Sequence, residues 1–512
     1  MDQKLNVIYM PIINDIFSFI NSSRITKIDR FRNHPGEVQH EQFRMLINKA
    51  KDTVFGKEYD FSSIRSEDAF RERVPVQDYE AFMPHVIRLR QGEKGLLWPG
   101  EIKWFAKSSG TTSTKSKFIP ISKEALNDCH YQGGRDTLLI YNSLRPDNKM
   151  LTGKTLTLGG SNQINNFSND SVYGDLSAIL IENMPFWTNF VRTPGRDIAL
   201  LDEWEKKLRL ITETTVKENV TAFAGVPSWL LVLLKNVLEF TGKKNILEVW
   251  PNLELFIHGG VSFVPYRQQY HDLIPSGEMN YLETYNASEG FFAIQDDFSS
   301  SAMLLMLDYG VFYEFMPLSE LGKSHPKTLL IDEVEIGVDY AMIITTNGGL
   351  WRYLIGDTIR FESKTPHKII ITGRTKHFIN AFGEEMMIEN AEKALETACK
   401  ETGAVIKEYT AAPVYMSAES KGRHQWLIEF ESEPKNPSRF MELLDETLKE
   451  VNSDYEAKRY KDMTLVMPDL VTARKGLFFD WLKKKKKLGG QNKVPRLANN
   501  REYMDDLLEL NH

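Results

Sequence analysis

Residues 154–160, KTLTLGG, form a short β-like run that ends in glycine, and the same pattern recurs further along the chain. It returns in LELFIHGG (253–260) and KIIITG (368–373), and helical stretches such as DEWEKKLRLITETTVKEN (202–219) alternate with these runs. This alternation predicts an α/β fold in which helices cover the sheets. Ligand sites in open α/β sheets gather at the carboxyl ends of strands, so the terminal glycines indicate where a site would lie.

The segments before and after these runs predict two domains. The first hundred residues are helical in pattern, with EQFRMLINKAKDTVFG (41–56) ending at Gly56 as a stop. Between residues 332 and 361 the pattern becomes strand-rich, and Asn347–Gly348 predicts a hairpin in a small antiparallel barrel or sheet. The order helix, strand, helix after residue 375 predicts a separate α+β domain. We therefore expect a large domain over 1–375 and a smaller one over 376–512.

Composition excludes several classes of protein. The 512 residues carry 63 Lys+Arg and 70 Asp+Glu, a net charge of −7 that argues against nucleic-acid binding as the main task. With 42% hydrophobic residues the chain has the composition of a soluble globular protein, and no run reaches the length of a membrane span. Only two cysteines occur, which favours a reducing compartment, the cytoplasm. Neither a histidine metal motif nor a G-x-S-x-G elbow is present.

A hydroxyl-rich segment, KSSGTTSTKSKFIP (107–120), lies between a predicted strand, IKWFAK (102–107), and a helix with Ser122 as its N-cap. Its backbone N–H groups, small hydroxyls and lysines suit a phosphate group. The spacing is not that of the common NTPase loop, and a serine-rich surface loop is the alternative interpretation. The candidate phosphate-binding residues are Ser109, Gly110, Thr111, Thr112 and Lys117.

Three later motifs supply further candidates for a nucleotide site. ETYNASEG (283–290) offers the Tyr285 ring for stacking on a purine and a carboxylate, Glu289, for Mg²⁺, although a packed tyrosine beside a solvated glutamate is the alternative. Asp357 ends WRYLIGD, where an acidic residue after a strand is placed to hold ribose hydroxyls, or is part of an ordinary turn. Arg374 follows the next strand at the predicted domain border.

The C-terminal segment is basic. The run Lys483–Lys487 is interpreted as a solvated loop. Lys493 differs because it follows Gly489 and Gly490 in a flexible turn, from which its ammonium could reach a site elsewhere in the chain.

Taken in order, five motifs resemble those of the acyl-adenylating superfamily of luciferases and acyl-CoA synthetases. The N-terminal blocks 41–61 and 70–100 resemble more closely the auxin-responsive acyl acid-amido synthetase family, and the similarity covers nearly the whole chain. The five motifs are SSGTTSTKSK (108–117), YNASEG (285–290), YLIGD (353–357), TGRTKHFINAFGEE (372–385) and GGQNKVPR (489–496).

The resemblance implies an adenylating-enzyme fold with a mobile C-terminal domain, and an enzyme that uses ATP and Mg²⁺ to join a small carboxylic acid to an amino acid through an acyl-adenylate. A thioester-forming acyl-CoA ligase and a non-catalytic nucleotide-binding protein of the same fold remain open. The implied roles are phosphate contact for Ser109, Gly110, Thr111, Thr112 and Lys117, adenine contact for Tyr285, Gly259 and Gly260, α-phosphate and Mg²⁺ contact for Ser288 and Glu289, ribose contact for Asp357 and Arg374, and catalysis by Lys493, Glu289 and Thr111.

The acid pocket is expected between the helix that contains Arg135 and the segment FAGVPSWLLVLL (223–234). Arg135 could pair with the substrate carboxylate there, and a structural salt bridge is the alternative. The sequence indicates neither the acid, the amine nor the oligomeric state.

Overall fold

A mixed eleven-stranded sheet forms the centre of the structure. The computed structural model describes residues 21–109, 116–159, 165–166, 171–201, 203–261, 263, 266–375, 378–417, 420–485 and 494–511. Its strands are β1 (Trp104–Ser109), β2 (Ser116–Ile121), β3 (Lys154–Thr157), β4 (Asn165–Asn166), β5 (Val172–Gly174), β6 (Arg192–Thr193), β7 (Val220–Gly225), β8 (Leu255–His258), β9 (Asn280–Ala287), β10 (Gly290–Gln295), β11 (Met303–Leu305), β12 (Val311–Pro317), β13 (Asp339–Thr346), β14 (Tyr353–Lys364), β15 (His367–Arg374), β16 (Phe378–Ile379), β17 (Met386–Met387), β18 (Val405–Val414), β19 (Arg423–Ser432) and β20 (Asp469–Thr472).

Helices lie before, between and after these strands. They are α1 (Ser22–Asn33), α2 (Pro35–Ala50), α3 (Val54–Glu58), α4 (Glu67–Arg73), α5 (Tyr79–Arg90), α6 (Tyr131–Leu144), α7 (Leu176–Asn183), α8 (Arg196–Ala199), α9 (Trp204–Thr215), α10 (Pro227–Thr241), α11 (Arg267–Leu273), α12 (Ile388–Thr402), α13 (Pro437–Val451), α14 (Ser453–Arg459), α15 (Leu477–Lys484) and α16 (Glu502–Glu509). Among the described residues, none of these helices is long and apolar enough to span a bilayer.

The central sheet has the order β12-β13-β14-β15-β11-β10-β9-β8-β7-β3-β6. From β9 to β6 the neighbouring strands are parallel, and from β9 to β12 they are antiparallel. The antiparallel segment predicted between residues 332 and 361 therefore continues the central sheet. A four-stranded sheet of order β2-β1-β5-β4 and a C-terminal sheet of order β18-β19-β20 complete the mixed α/β fold that the sequence predicts.

The predicted N-terminal helix needs one correction. It ends at Ala50 rather than at Gly56, which lies inside the following short helix α3. A Cβ atom built on Gly56 would lie 2.1 Å from the carbonyl oxygen of Ala50. Glycine is required there by the close approach of two backbone segments, so its presence signals a tight corner rather than a helix stop.

The two largest buried apolar clusters hold the fold together. The first joins helices α1 to α6 to the antiparallel half of the central sheet. The second is shared by the parallel half and the C-terminal residues, and it includes Trp250 and Phe256 together with Phe382, Trp426 and Leu444. The C-terminal domain thus packs on the part of the sheet where the parallel strands end.

Candidate active site

The hydroxyl-rich loop joins two antiparallel strands. β1 and β2 pair so that Ser109 lies opposite Ser116, and the backbone amide of Phe118 donates a 2.8 Å hydrogen bond to the hydroxyl of Tyr79. The ammonium of Lys117 lies 5.8 Å from the centre of the same tyrosine ring. Helix α5, which begins at Tyr79, therefore fixes the strand that carries Lys117 at the base of the loop.

Several predicted site residues lie outside the described part of the chain. Gly110, Thr111 and Thr112 belong to the segment between β1 and β2, and Lys493 belongs to the segment between residues 485 and 494. For Ser109 the backbone is described and the side chain is not. Their roles remain predictions from the sequence.

The ETYNASEG motif forms a tight hairpin. Ala287 at the end of β9 pairs with Gly290 at the start of β10, so Ser288 and Glu289 make up the two-residue turn. Tyr285 lies two residues before the end of β9, and only 5% of it is exposed. The hairpin therefore presents Ser288 and Glu289 at its tip and holds Tyr285 in the sheet beneath them.

Three predicted site residues, Tyr285, Asp357 and Arg374, form one hydrogen-bonded group, here called the Tyr–Asp–Arg cluster. The Tyr285 hydroxyl donates to Oδ2 of Asp357 at 2.6 Å, and Nε of Arg374 donates to Oδ1 at 2.6 Å. Asp357 and Arg374 are directly opposite each other on β14 and β15, which fixes their separation. Three segments from two distant parts of the sequence thus meet at one carboxylate.

The charges of the Tyr–Asp–Arg cluster are coupled. Burial, followed by the negative charge of Asp357, raises the pKa of Tyr285 well above its ordinary value, so its hydroxyl remains a donor. Burial opposes ionisation of Arg374, but the charges of Asp357 and Glu385 raise its pKa overall. The cluster is therefore a fixed carboxylate held between a neutral donor and a permanent cation.

Glu289, at the tip of the hairpin, has a strongly raised pKa. Its pKa is raised to about 7, chiefly by burial; the charge of Glu385 contributes to the rise, whereas Lys117 and Arg374 oppose it. The Glu289 charge in turn acts on Tyr285 and Arg374. Lys117, the hairpin tip and the Tyr–Asp–Arg cluster therefore lie close enough for their charges to interact, and together they define the candidate site, here called the cleft. A carboxylate that ionises near neutral pH is typical of a functional site.

The raised pKa of Glu289 predicts a pH dependence of stability. Its carboxyl has an ordinary pKa of 4.5 and a folded pKa of about 7. Between pH 4.5 and about 7, Glu289 is mostly protonated in the folded chain and mostly ionised in the unfolded chain. The folded chain therefore binds more protons, and the contribution of Glu289 to the free energy of unfolding falls as pH rises through this window. We expect Glu289→Gln to gain stability relative to the native chain between pH 5 and 7.5 in urea denaturation. Glu431→Gln, at an exposed position, is the control, and a pH-independent difference for Glu289→Gln would contradict this prediction.

The Gly259–Gly260 pair follows β8 directly. A Cβ atom on Gly259 would lie 2.4 Å from the carbonyl oxygen of Thr284, and Gly260 has a φ of +81°. Strand β9 therefore leaves no room for a side chain at Gly259, and the left-handed backbone favours glycine at Gly260. The backbone so exposed lies beside β9, the strand that carries Tyr285.

Arg135 lies apart from this cleft. Its side chain is exposed on α6 and donates to the side-chain oxygen of Gln132 at 2.7 Å and to the carbonyl oxygen of Asn127 at 3.5 Å. Both partners belong to its own helical segment. The structure therefore brings Arg135 to none of the cleft residues described above.

Four charged residues beside the cleft are absent from the sequence-based candidates: Glu385, Lys107, Asp454 and Lys458. Glu385 is the last residue of the motif TGRTKHFINAFGEE (372–385). Its left-handed backbone conformation, with a φ of 37°, is uncommon for a glutamate. Lys107 begins the hydroxyl-rich segment 107–120, but no residue spacing gives it a role of its own. Asp454 and Lys458 lie outside every motif, so only the packing of the chain identifies them.

Solved structures define the class of fold. An acyl acid amido synthetase, GH3.15, superposes with a TM-score of 0.60 at 16% identity, covering 95% of each chain. A 2-hydroxyisobutyryl-CoA ligase superposes with a TM-score of 0.55 at 13% identity, covering 95% of this chain and 92% of that one. The chain therefore has the fold shared by an acyl acid amido synthetase and an acyl-CoA ligase.

Family models match most of the sequence. The GH3 family N-terminal domain matches residues 24–279, the central domain 304–374 and the C-terminal domain 389–502. The chain belongs to the GH3 family, which confirms the resemblance inferred from its motifs.

Named members of the family are distant relatives of this chain. Indole-3-acetic acid-amido synthetase GH3.3 of Arabidopsis thaliana is 21% identical over 90% of this chain and 89% of its own length. Jasmonoyl–L-amino acid synthetase JAR4 of Nicotiana attenuata is 19% identical over 73% and 74%. Both names describe ligases that join an acid to an amino acid.

Proposed function

We propose that this chain is an ATP-dependent acyl acid-amido synthetase, which adenylates a small carboxylic acid and transfers the acyl group to an amino acid. The observation that carries the proposal is the Tyr–Asp–Arg cluster, with Glu289 and Lys117 beside it, in a GH3 family chain. The substrates are small molecules. Both cysteines are free thiols, which supports a reducing compartment such as the cytoplasm.

Asp357 is proposed to bind the ribose of ATP. Each of its two carboxylate oxygens accepts one protein hydrogen bond, from Tyr285 or from Arg374, and retains a further lone pair for a ribose hydroxyl. Tyr285 presents little exposed surface, so we propose that adenine contacts the C-terminal end of β9 together with the Gly259–Gly260 backbone.

The triphosphate is proposed to lie between the β1–β2 loop and the hairpin tip. Lys117, with Ser109, Gly110, Thr111 and Thr112, would contact phosphate oxygens, and Ser288 with Glu289 would face them from the hairpin. Among the described residues, no group of three or more His, Cys, Asp or Glu side chains could hold a metal ion. A single carboxylate suits Mg²⁺, which usually binds one or two carboxylates and takes its other ligands from phosphate and water. Mg²⁺ bound there would neutralise phosphate charge.

Adenylation removes two obstacles to amide formation. A carboxylate is a weak electrophile and its oxygen is a poor leaving group, whereas in an acyl-adenylate AMP leaves readily. The cleft supplies positioning through the Tyr–Asp–Arg cluster and positive charge through Lys117 near the phosphates. We propose that a C-terminal domain beginning near residue 376 covers the acyl-adenylate and then moves to admit the amine, which limits hydrolysis.

Product analysis tests this function against its nearest alternative. The purified chain is incubated with ATP, Mg²⁺ and a panel of acids that includes benzoate, indole-3-acetate and straight-chain acids from acetate to octanoate. Each acid is offered with the twenty L-amino acids or with coenzyme A, and products are identified by mass spectrometry. We expect amides and AMP with amino acids. Thioesters with coenzyme A and no amides would contradict the proposal in favour of an acyl-CoA ligase.

Lys493→Ala distinguishes a ligase from a non-catalytic nucleotide-binding protein. Lys493 matches the superfamily lysine that acts on the developing charge of the adenylation transition state, so its loss should lower the adenylation rate about 100-fold with little change in ATP affinity. Single-turnover AMP formation and ATP titration calorimetry measure the two effects. Lys484→Ala, in the neighbouring lysine run, is the control. An unchanged rate would contradict a catalytic role for Lys493.

A further inference from the structure

A second group of charged residues lies beside the nucleotide cleft, where the C-terminal residues meet the first domain. Lys107 on β1 and Asp175, directly before α7, belong to the first part of the chain, whereas Asp454 and Lys458 lie on α14. The charges of Lys107, Asp175 and Lys458 all act on Asp454. These four residues, called here the acid–base group, carry two positive and two negative side chains.

Lys458 is an enclosed cation. It is 9% exposed, and its ammonium lies 4.3 Å from the centre of the Trp229 ring on α10. On another side lies Gly383, where an added Cβ atom would be 3.2 Å from Cε and 3.5 Å from Nζ of Lys458. The lysine side chain is therefore held between the first domain and the Gly383 turn.

The charges around Lys458 do not form contact ion pairs with it. Asp454, Asp175, Glu384 and Glu385 all act on the Lys458 charge, yet no carboxylate in the described part of the chain lies within 4.0 Å of its ammonium. Burial lowers the pKa of Lys458. The Trp229 ring therefore contacts the Lys458 ammonium, while the surrounding carboxylates act on its charge only from a distance.

The two carboxylates of the acid–base group, Asp454 and Asp175, also lack contact ion-pair partners among the described residues. The pKa of Asp454 is raised to about 7, chiefly by burial; the charges of Glu385 and Asp175 contribute to the rise, whereas Lys458 and Lys107 oppose it. Burial likewise raises the pKa of Asp175. In the described part of the chain neither side chain has a hydrogen-bond partner. Both charges are thus available to a ligand that carries a cation.

The acid–base group adjoins the proposed adenylation site. Lys107 lies on the strand that leads into the hydroxyl-rich loop, and the charge of Glu385 acts both on Lys458 and on Glu289. Trp229 belongs to the segment 223–234, which we expect to border the acid pocket. A molecule bound here would therefore lie next to the acyl-adenylate.

We propose that the acid–base group is the binding site for the amino-acid acceptor, with Lys458 and Lys107 binding its α-carboxylate and Asp454 its ammonium. This inference rests on the proposed ligase function. A free amino acid carries both charges close together, and both need partners when it leaves water. A phosphate group would be repelled by Asp454 and Asp175, whereas a zwitterion is matched by all four residues.

The test separates acceptor binding from adenylation. With the full chain and an acid that supports pyrophosphate exchange, Lys458→Met should raise the KM for the best amino-acid acceptor about 10- to 100-fold. The acid-dependent exchange rate should stay within about twofold. The control substrate is the corresponding amine, which is the same acceptor without its α-carboxylate. For this amine the KM should be the same in the Lys458→Met variant and in the native enzyme. Lys458→Arg should restore most of the amino-acid affinity.

Two further variants complete the experiment. Lys435→Met removes an exposed lysine of the C-terminal segment and should change nothing. Lys107→Met tests the same carboxylate contact from the first domain, and it keeps the inference testable if Lys458→Met does not fold. The inference is overturned if the KM for the amino acid is unchanged in the Lys107 and Lys458 variants. It is also overturned if the pyrophosphate exchange rate of these variants falls to the same extent as their amino-acid affinity. Absence of exchange in the native chain would instead overturn the proposed function, and this inference with it.

Discussion

Asp357→Asn should weaken ATP binding by at least about 30-fold and lower the free energy of unfolding by about 3–5 kcal/mol. Asp357 is 8% exposed, and both of its oxygens accept hydrogen bonds, from Tyr285 and from Arg374. The amide offers only one acceptor oxygen, and the partly buried guanidinium of Arg374 loses its opposing charge. Calorimetric titration with ATP and urea denaturation measure the two effects.

Asp339→Asn is a matched control for this change. Asp339 and Arg360 form a bidentate pair on the neighbouring strands β13 and β14, with both bonds at 3.0 Å, but the pair is about one-third exposed. We expect a loss of at most about 1 kcal/mol in stability and no change in ATP affinity. If Asp357→Asn binds ATP as the native chain does, Asp357 is not a ribose ligand.

Arg352→Met should lower the free energy of unfolding by about 3–5 kcal/mol. Arg352 is 3% exposed and forms a bidentate pair with the buried Glu314, at 2.9 and 2.8 Å. Its guanidinium also donates to the carbonyl oxygens of Arg71 and Val74, at 2.8 and 2.6 Å. The substitution leaves the Glu314 charge buried without its partner and removes the link between α4 and the central sheet.

Two variants make the stability prediction specific. Arg352→Lys should recover little of the loss, because one ammonium cannot replace a planar guanidinium that donates to both oxygens of Glu314 and to two carbonyl oxygens. Arg360→Met, at the exposed pair with Asp339, should cost at most about 1 kcal/mol. Urea denaturation gives the comparison. A loss below 1 kcal/mol for Arg352→Met would show that the buried pair does not stabilise the fold.

Local sequence patterns predicted the elements that build the site. The Ser122 side chain accepts from the Ala125 amide at 2.9 Å, as expected of an N-cap, and the glycine-ended run 253–260 contains β8. The hairpin signal at Asn347–Gly348 lies between β13 and β14, although the connection is longer than the two residues of a tight turn. These features depend on neighbours in the chain, so sequence alone indicates them.

Contacts between distant residues could not be predicted in this way. Tyr285 and Asp357 are separated by 72 positions, and their hydrogen bond follows from the pairing order of the central sheet. No residue spacing identifies Lys458 as a cation enclosed by Trp229 and Gly383, because α14, α10 and the Gly383 turn meet only after folding. For the hydroxyl-rich loop, composition alone indicates phosphate binding, but it does not determine where the contacting groups lie.

The most direct test of the proposed function is acid-dependent exchange of labelled pyrophosphate into ATP by the purified chain. If the β1–β2 loop, the hairpin tip and the Tyr–Asp–Arg cluster form one adenylation site, at least one acid of the panel should stimulate exchange. Asp357→Asn should then lower the exchange rate at least about tenfold at ATP concentrations near the native Kd. No acid-stimulated exchange with Mg·ATP across the panel, from a chain that binds ATP, would contradict adenylation at this cleft.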